Sequence, residues 1–153
     1  MEPRLDAYCG LYCGACPMML AQQNGELDTL AEKRGMEPEE ARCLGCKSDT
    51  VAVFCATCEL RQCASQKGYD VCSECSDFPC EPFVAFRDTE KWPYHAAVPK
   101  NLKRIQQVGI EPWLEEQEAR WRCAHCGAKF AWQDESCGEC GEPVANYKAD
   151  LAS

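Results

Sequence analysis

The chain has 153 residues and a formal net charge of −9, and 15 of its residues are cysteine. This length predicts one domain, with room for a small appendage. The acidic charge argues against a nucleic-acid partner, which needs a basic face, and no apolar run is long enough to cross a membrane.

The cysteine content predicts a metal-binding protein. Residues 1–6 contain no apolar signal core, so we expect a cytoplasmic protein whose thiols stay reduced. The odd number of cysteines also argues against complete disulfide pairing. Because only 9% of the residues are aromatic, the hydrophobic core is modest. Metal cross-links are therefore expected to supply part of the folding free energy.

Short helices separated by glycine or proline are predicted for the first half of the chain. Pro17 suits the first turn of a helix, and Gly25 and Gly68 end the helices before them. The predicted helical ranges are 18–24, 27–34, 39–42, 59–67 and 83–87. The apolar run 51–54 is compatible with a strand or a buried loop, and 71–75 is predicted to form a metal knuckle.

Residues 88–122 contain no cysteine and predict a helical connector. One helix is predicted over 99–108, and a second opens at Glu111. We expect Trp113 and Trp121 to pack on the cysteine-rich part of the chain.

Two Cys-x-x-Cys knuckles, each followed by glycine, lie near the C-terminus with ten residues between them. The alternation over Lys129–Trp132 predicts a β-hairpin strand with Phe130 and Trp132 on one face. This arrangement resembles a zinc ribbon, with a rubredoxin-like iron site as the minor alternative. His125, inside the first knuckle, is predicted to be a surface residue, and the tail 147–153 is predicted to be frayed. The predicted ligands are Cys123, Cys126, Cys137 and Cys140.

The eleven cysteines of the N-terminal half are also predicted to bind metal. The two-residue gaps define the pairs Cys13/Cys16, Cys43/Cys46, Cys55/Cys58 and Cys72/Cys75. Four pairs suffice for two tetrathiolate sites, in sequential or cross-braced order. Cys9, Cys63 and Cys80 are left over, and each can replace a member of a pair. Cys63 shares a helix face with Leu60 and is expected to be a small apolar side chain, whereas Cys80 is the better ligand.

The spacing Cys9-x3-Cys13-x2-Cys16 indicates an alternative, namely an iron–sulfur cluster or a labile metal with a fourth ligand from elsewhere. A redox or metal-handling role would follow from such a centre. The spacing also resembles the cluster motif of radical S-adenosylmethionine enzymes. Those enzymes need a large α/β barrel, whereas short helices and more cysteines follow here.

No conventional active site stands out in the sequence. A Cys–His nucleophile would have to use His95, in a connector without other catalytic signals. Glu115, Glu116 and Glu118 fit a solvated helix face, and the sequence has no phosphate-binding glycine loop. The sequence therefore favours a non-enzymatic protein with no evident small-molecule substrate.

Several motifs, occurring in order, resemble those of a known family. They are Tyr8-Cys-Gly-Leu-Tyr-Cys-Gly-Ala-Cys-Pro17, Cys43-Leu-Gly-Cys46, Cys58-Glu-Leu-Arg-Gln-Cys63-Ala-x-x-Lys67-Gly68 and Cys72-x-x-Cys75-x-x-Phe-Pro-Cys80-Glu81. The family is prokaryotic, cysteine-rich and catalogued only as a domain of unknown function, and the match spans about residues 8–85. Some members are similar further on, with a tryptophan-rich helix and a terminal ribbon. The resemblance implies a cytoplasmic zinc-binding domain without an established activity, and it favours Cys9 and Cys80 as ligands.

These predictions combine into one architecture. The fold class is a small metal-stabilised, mainly α and irregular domain with a C-terminal β-hairpin zinc ribbon. The segments are the metal-binding domain 1–87, the connector 88–122, the ribbon 123–145 and a tail 146–153. We expect about two to four zinc ions per chain in structural sites, and a surface that is presented to another protein.

Overall fold

The computed structural model describes residues 3–152. Met1, Glu2 and Ser153 lie outside the described residues, and with them the outer ends of the predicted segments 1–87 and 146–153. The helices are α1 Pro17–Gln23, α2 Leu27–Lys33, α3 Pro38–Ala41, α4 Val53–Ala56, α5 Glu59–Lys67, α6 Glu81–Asp88, α7 Val98–Val108, α8 Ile110–Arg120 and α9 Tyr147–Ala152. Short 3-10 turns cover Cys13–Ala15, Cys72–Glu74 and Pro93–Ala97. The mainly helical and irregular fold class is confirmed.

Proline and glycine set the helix bounds much as the sequence predicts. Each of the five helices predicted in the first half forms within two residues of its predicted bounds. Pro17 is the first residue of α1, and Gly68 closes α5 with a φ of 75°, a conformation that a side chain would strain. Over residues 3–152, every helix is too short or too polar to cross a membrane.

One hydrophobic core takes side chains from the cysteine-rich part, the connector and the ribbon. Trp113 of α8 is fully buried and meets Tyr12 edge to face, with 6.2 Å between the ring centroids. Trp121 joins the same core and packs against Phe130 at 5.4 Å. This confirms that both tryptophans pack on the cysteine-rich part, whose Cys9 belongs to the same cluster.

The β-hairpin predicted for the ribbon is wrong, because residues 3–152 contain no strand. Isolated antiparallel bridges at Arg122–Lys129 and Ser136–Pro143 close the two knuckles instead. Between them, Phe130, Ala131 and Trp132 are buried in succession rather than alternately. Their backbone N–H groups bond to other parts of the chain and to a side chain, so no partner strand pairs with them.

The expectation of a strand or buried loop over 51–54 is also wrong. Val53–Ala56 forms the single-turn helix α4, and the Val53 and Phe54 side chains are 45% and 50% exposed. Ala52 is buried in their place, so only the start of the apolar run faces the interior.

The tail forms helix α9 rather than a frayed end. Arg120 Nε lies 3.0 Å from Asp150 Oδ1, and a guanidinium N–H of Arg120 donates to the Asn146 carbonyl at 2.9 Å. Both side chains of the Arg120–Asp150 pair are mostly shielded from water, which strengthens the interaction. The polar groups of the tail therefore bind the tail to α8 through Arg120.

A buried ion pair ties the N-terminal segment to the loop after Cys46. Asp6 is 1% exposed, and Lys47 Nζ lies 2.6 Å from its Oδ2. Arg4 adds a second cation at 3.3 Å. Burial raises the pKa of Asp6, but the hydrogen bonds and charges of Lys47 and Arg4 outweigh it and hold the pKa below its usual value.

Candidate metal centre

Four thiols converge in the C-terminal part of the chain, those of Cys123, Cys126, Cys137 and Cys140. Their Sγ atoms all lie within 4.8 Å of one another. Cys123 Sγ is 3.7 Å from Cys140 Sγ, and the Cys126–Cys137 pair is separated by 3.5 Å. A tetrahedral zinc site with bonds of about 2.3 Å spaces its sulfurs by about 3.8 Å. The predicted ligands of the ribbon are therefore arranged as a metal ion requires.

Each knuckle is a tight turn that needs the glycine after its second cysteine. Gly127 and Gly141 have φ values of 80° and 79°, in the left-handed region. The Gly127 N–H donates to the Cys123 carbonyl at 2.8 Å, and the Gly141 N–H donates to the Cys137 carbonyl at 2.9 Å. The same turn brings the Glu139 N–H to 3.4 Å from Cys137 Sγ. Such donors orient and stabilise metal-bound sulfur.

Backbone donors also favour the thiolate form of two of these cysteines. The N–H groups of Cys140 and Glu139 lower the pKa of Cys137 to about 7. The N–H of Cys126 is the largest influence on Cys123 and lowers its pKa. Because the thiolate is the form that binds metal, the turn prepares these sulfurs for ligation.

Trp132 attaches this centre to the first cysteine motif. Its indole N–H donates to the Tyr12 carbonyl at 3.1 Å, and its backbone N–H donates to the Ala15 carbonyl at 3.0 Å. Its ring stacks on Tyr94 with 4.4 Å between centroids. The segment between the knuckles therefore docks on the turn at Cys13–Ala15 instead of forming a hairpin.

The N-terminal thiols are largely shielded from water. Cys9, Cys43 and Cys72 are buried, Cys63 is exposed, and Cys13, Cys16, Cys46, Cys55, Cys58, Cys75 and Cys80 are half-buried. Within residues 3–152, only the ribbon thiols form a group of three or more ligand atoms mutually within 4.8 Å. Metal ligation in the N-terminal half therefore stays a prediction.

Backbone N–H groups donate hydrogen bonds to some of these sulfurs, as they do in the ribbon. The Gly45 N–H lies 3.3 Å from Cys43 Sγ. The N–H of Cys46 hydrogen-bonds to Cys13 and favours its thiolate form. Donors of this kind are typical of metal–thiolate sites, so the surroundings of these thiols fit a metal.

Burial raises the pKa of six N-terminal thiols, those of Cys9, Cys13, Cys16, Cys46, Cys55 and Cys72. The pKa of Cys46 rises to about 11, and those of Cys55 and Cys72 rise to about 12. For Cys9 and Cys13 it lies well above its usual value. A metal that binds here has to displace protons, which makes binding pH-dependent.

Some thiols interact with thiols outside the predicted pairs, whereas Cys13 interacts most with its predicted partner Cys16. Apart from burial, Cys80 has the largest effect on the pKa of Cys72, and Cys46 is the thiol with the largest effect on the pKa of Cys9. Cys80 and Cys9 belong to none of the pairs that the two-residue gaps define. Some thiols of different motifs are therefore close enough to affect one another's pKa.

A family model described as "Protein of unknown function (DUF3795)" matches residues 5–85, more than half of the chain. The chain belongs to this family. The matched residues, called here the DUF3795 region, include all eleven N-terminal cysteines and exclude the four ribbon ligands. No curated protein and no solved structure matches the chain. The family description names no activity.

Cys63 of the DUF3795 region is exposed, so its expected role as a small apolar core side chain is wrong. Helix α5 buries Leu60 and Ala64, each 3% exposed. Cys63 lies at the edge of that buried face and lines a cavity that other thiols share.

The two histidines have different surroundings. His125 is exposed, as predicted. His95 is buried, its Nδ1 lies 3.0 Å from the Phe86 carbonyl oxygen, and its ring stacks on Phe86 with 3.7 Å between centroids. Burial lowers the pKa of His95 to about 4, so the ring is neutral and Nδ1–H donates to Phe86. His95 is a packing residue.

Sequence reasoning missed the Asp6–Lys47 ion pair. Asp6 lies three residues before Cys9, and Lys47 directly follows Cys46. The only signal was the presence of opposite charges beside two cysteine motifs. Nothing in the spacing of the motifs indicates that they meet.

Proposed function

We propose that the protein is a non-enzymatic zinc protein whose metal sites are structural and whose surface binds another protein. The observation that carries the proposal is the convergence of the four ribbon sulfurs within 4.8 Å. Four thiolates fill a tetrahedral zinc shell and leave no position for a substrate, as is typical of structural zinc. Zinc here holds the two knuckles together while Trp132 fixes them to Tyr12.

The proposal extends to the DUF3795 region. Its shielded thiols and their backbone N–H donors support further zinc, for about two to four ions per chain. Because reduced thiols persist in a reducing compartment, the proposal includes a cytoplasmic location. Ligation free energy then adds to the folding free energy of a chain with a modest core.

Charge supports a protein as the partner. The chain carries −9 before metal binding, and each tetrathiolate zinc site has a net charge of about −2. A surface of this sign repels the phosphate backbone. In cells, cross-linking of the full chain should therefore capture defined proteins, and nuclease treatment should leave the captured set unchanged. Capture that depends on nucleic acid contradicts this part of the proposal.

Elemental analysis tests the zinc assignment. Protein purified without oxygen should be colourless and contain about two to four zinc ions per chain. Replacement of zinc by Co²⁺ should give the visible absorption of tetrahedral cobalt thiolate. A brown preparation with acid-labile sulfide contradicts the proposal.

A second candidate is an iron–sulfur protein with its cluster at Cys9, Cys13 and Cys16. The observation in its favour is that Cys9 is 6% exposed and that the other two pack against the same core. Such shielding from water suits a cluster whose fourth ligand comes from another part of the chain. A brown protein that loses its colour in Cys13→Ser would establish this candidate in place of the first.

A further inference from the structure

A cavity of about 140 Å³ lies between helices α5 and α6, and four thiols line it. They belong to Cys63, Cys72, Cys75 and Cys80. Most of the other lining side chains are apolar, and the charged ones are Lys67 and Asp77. Four thiols around one small cavity are a full ligand set for a tetrahedral metal ion.

The local fold explains why these four cysteines line one cavity. Helix α5 presents Cys63 in its second turn and ends at Gly68, whose positive φ reverses the chain. The 3-10 turn Cys72–Glu74 follows, and Cys80 is the residue that precedes α6. The segment after Gly68 therefore places Cys72, Cys75 and Cys80 around the same cavity as Cys63.

Directly after the Cys72–Cys75 turn, a backbone N–H approaches a thiol as it does in the second ribbon knuckle. The Asp77 N–H lies 3.4 Å from Cys75 Sγ, two residues back. In the ribbon, the Glu139 N–H lies at the same distance from Cys137 Sγ, also two residues back. Such a bond orients a thiolate toward a metal. The resemblance supports Cys75 as a ligand.

Lys67 supplies a positive charge beside the cavity. Its Nζ lies 3.6 Å from Cys75 Sγ and 3.8 Å from Asp77 Oδ2. An ammonium in this place offsets part of the charge of about −2 on a tetrathiolate zinc site.

We propose that Cys63, Cys72, Cys75 and Cys80 form a second tetrathiolate metal site, separate from the ribbon, with Lys67 beside it. The choice of zinc as the ion rests on the proposed function, whereas the ligand set rests on the cavity. The set keeps the predicted pair Cys72/Cys75, adds Cys80 and assigns Cys63 a ligand role. It leaves a second group of N-terminal thiols, namely Cys9, Cys13, Cys16, Cys43, Cys46, Cys55 and Cys58.

This site differs from the ribbon in how it assembles. The ribbon sulfurs lie mutually within 4.8 Å, and no other group of three or more in the described part of the chain does. Rotation of the cysteine side chains about χ1 closes the cavity around the ion, and four thiol protons leave to solvent. Cys63 is exposed, as are Cys126 and Cys140 of the ribbon, so a chelator reaches both sites. Because the ribbon sulfurs alone, among the described residues, are already arranged for a metal ion, zinc should leave this site before it leaves the ribbon.

The test counts zinc in the full chain by native mass spectrometry under reducing, oxygen-free conditions. Cys63→Ser should lose one zinc ion, Cys137→Ser should lose one, and the double variant should lose two. Cys63 is exposed, so its replacement by serine leaves the core intact, which circular dichroism checks. The matched control is Gln66→Ser, at an exposed position of α5 outside the cavity lining, which should keep every ion. Lys67→Gln should keep the count but weaken zinc binding at this site about tenfold.

An unchanged zinc count in Cys63→Ser overturns the ligand set, and so does loss of all zinc in that variant. In a chelator competition, a fast phase of zinc release with the same amplitude in Cys63→Ser as in the wild type also overturns it. The proposed function fails separately. If the bound ion is iron, the zinc proposal is wrong, and the loss of one metal ion in Cys63→Ser still supports these four ligands.

Discussion

The indole nitrogen of Trp132 donates a hydrogen bond to the carbonyl oxygen of Tyr12, with 3.1 Å between the two atoms. Trp132 lies between the two knuckles of the ribbon, and Tyr12 lies directly before Cys13. The contact therefore joins the C-terminal thiol group to the first cysteine motif of the DUF3795 region. Trp132 is 7% exposed, so water cannot readily replace this bond.

Trp132→Phe should destabilise the metal-loaded protein by about 1 kcal/mol more than the control variant Trp113→Phe does. Phenylalanine keeps an aromatic ring against Tyr94 but removes the N–H donor. The Tyr12 carbonyl retains the Ala15 N–H at 3.2 Å, so the loss is that of one net hydrogen bond. The measurement is the free energy of unfolding in urea.

The control for that comparison is Trp113→Phe. Trp113 is fully buried, and its indole N–H has no hydrogen-bond partner among the described residues. This change reduces ring volume in the core but breaks no hydrogen bond. Equal losses of stability in the two variants contradict a stabilising role for the Trp132–Tyr12 bond.

Asp6→Asn should cost about 3 kcal/mol, because it leaves the Lys47 ammonium buried without its carboxylate. The Lys47 side chain is only 5% exposed. Adding Lys47→Met should recover part of the loss, since the double variant buries no unpaired charge. Urea unfolding of the two single variants and the double variant gives the interaction energy.

The exposed pair Arg104–Glu116 provides the control for the Asp6 variants. Both side chains are more than two-fifths exposed, so water screens their attraction. Glu116→Gln should leave the urea midpoint nearly unchanged. A loss for Glu116→Gln as large as that for Asp6→Asn would show that burial does not set the energy of the Asp6–Lys47 pair.

Local sequence signals predicted the parts of this fold that depend on neighbouring residues. Pro17 and Gly68 bound α1 and α5 because fixed or positive φ angles act within one turn. The ribbon ligands follow from the two-residue gap, since one tight turn brings both sulfurs to the same side. Each of these features requires only a few consecutive residues.

The sequence did not predict the features that depend on contacts between distant residues. Trp132 pairs with Tyr12 across 120 positions, and this contact takes the place of a strand in the ribbon. Cys63 resembled a core residue from the spacing on α5, but the chain that returns through Cys72 turns it into part of a thiol-lined cavity. Assignment of thiols to shared sites depends on such chain reversals, which the spacing of cysteines does not specify.

Stability should fall below neutral pH because of His95. Its pKa is lowered by burial from 6.5 to about 4, so the unfolded chain binds a proton that the folded chain excludes. Folding stability from this group is present above pH 6.5 and is lost as the pH falls toward 4. Between pH 7.5 and 5.5 the loss should be about 1 kcal/mol.

The comparison variant for this pH dependence is His95→Gln. Its side-chain amide can donate to the Phe86 carbonyl, and it does not titrate. Between pH 7.5 and 5.5, wild type should therefore lose about 1 kcal/mol more unfolding free energy than His95→Gln does. Protonation of the thiol ligands affects both proteins equally and cancels in this difference. A constant difference contradicts a buried neutral His95.

Cys137→Ser should remove one metal ion and disorder the ribbon while the metal ions of the DUF3795 region remain. The reason is that serine is a poor zinc ligand and that the two knuckles are linked through the four thiols. Limited trypsin digestion should then cut after Arg122 and Lys129, whose knuckle has lost its ion. His125→Ala is the matched control, because His125 is exposed within the same knuckle and its replacement should leave the metal count unchanged. Loss of all metal in Cys137→Ser would show that the Trp132–Tyr12 contact makes the two regions one folding unit.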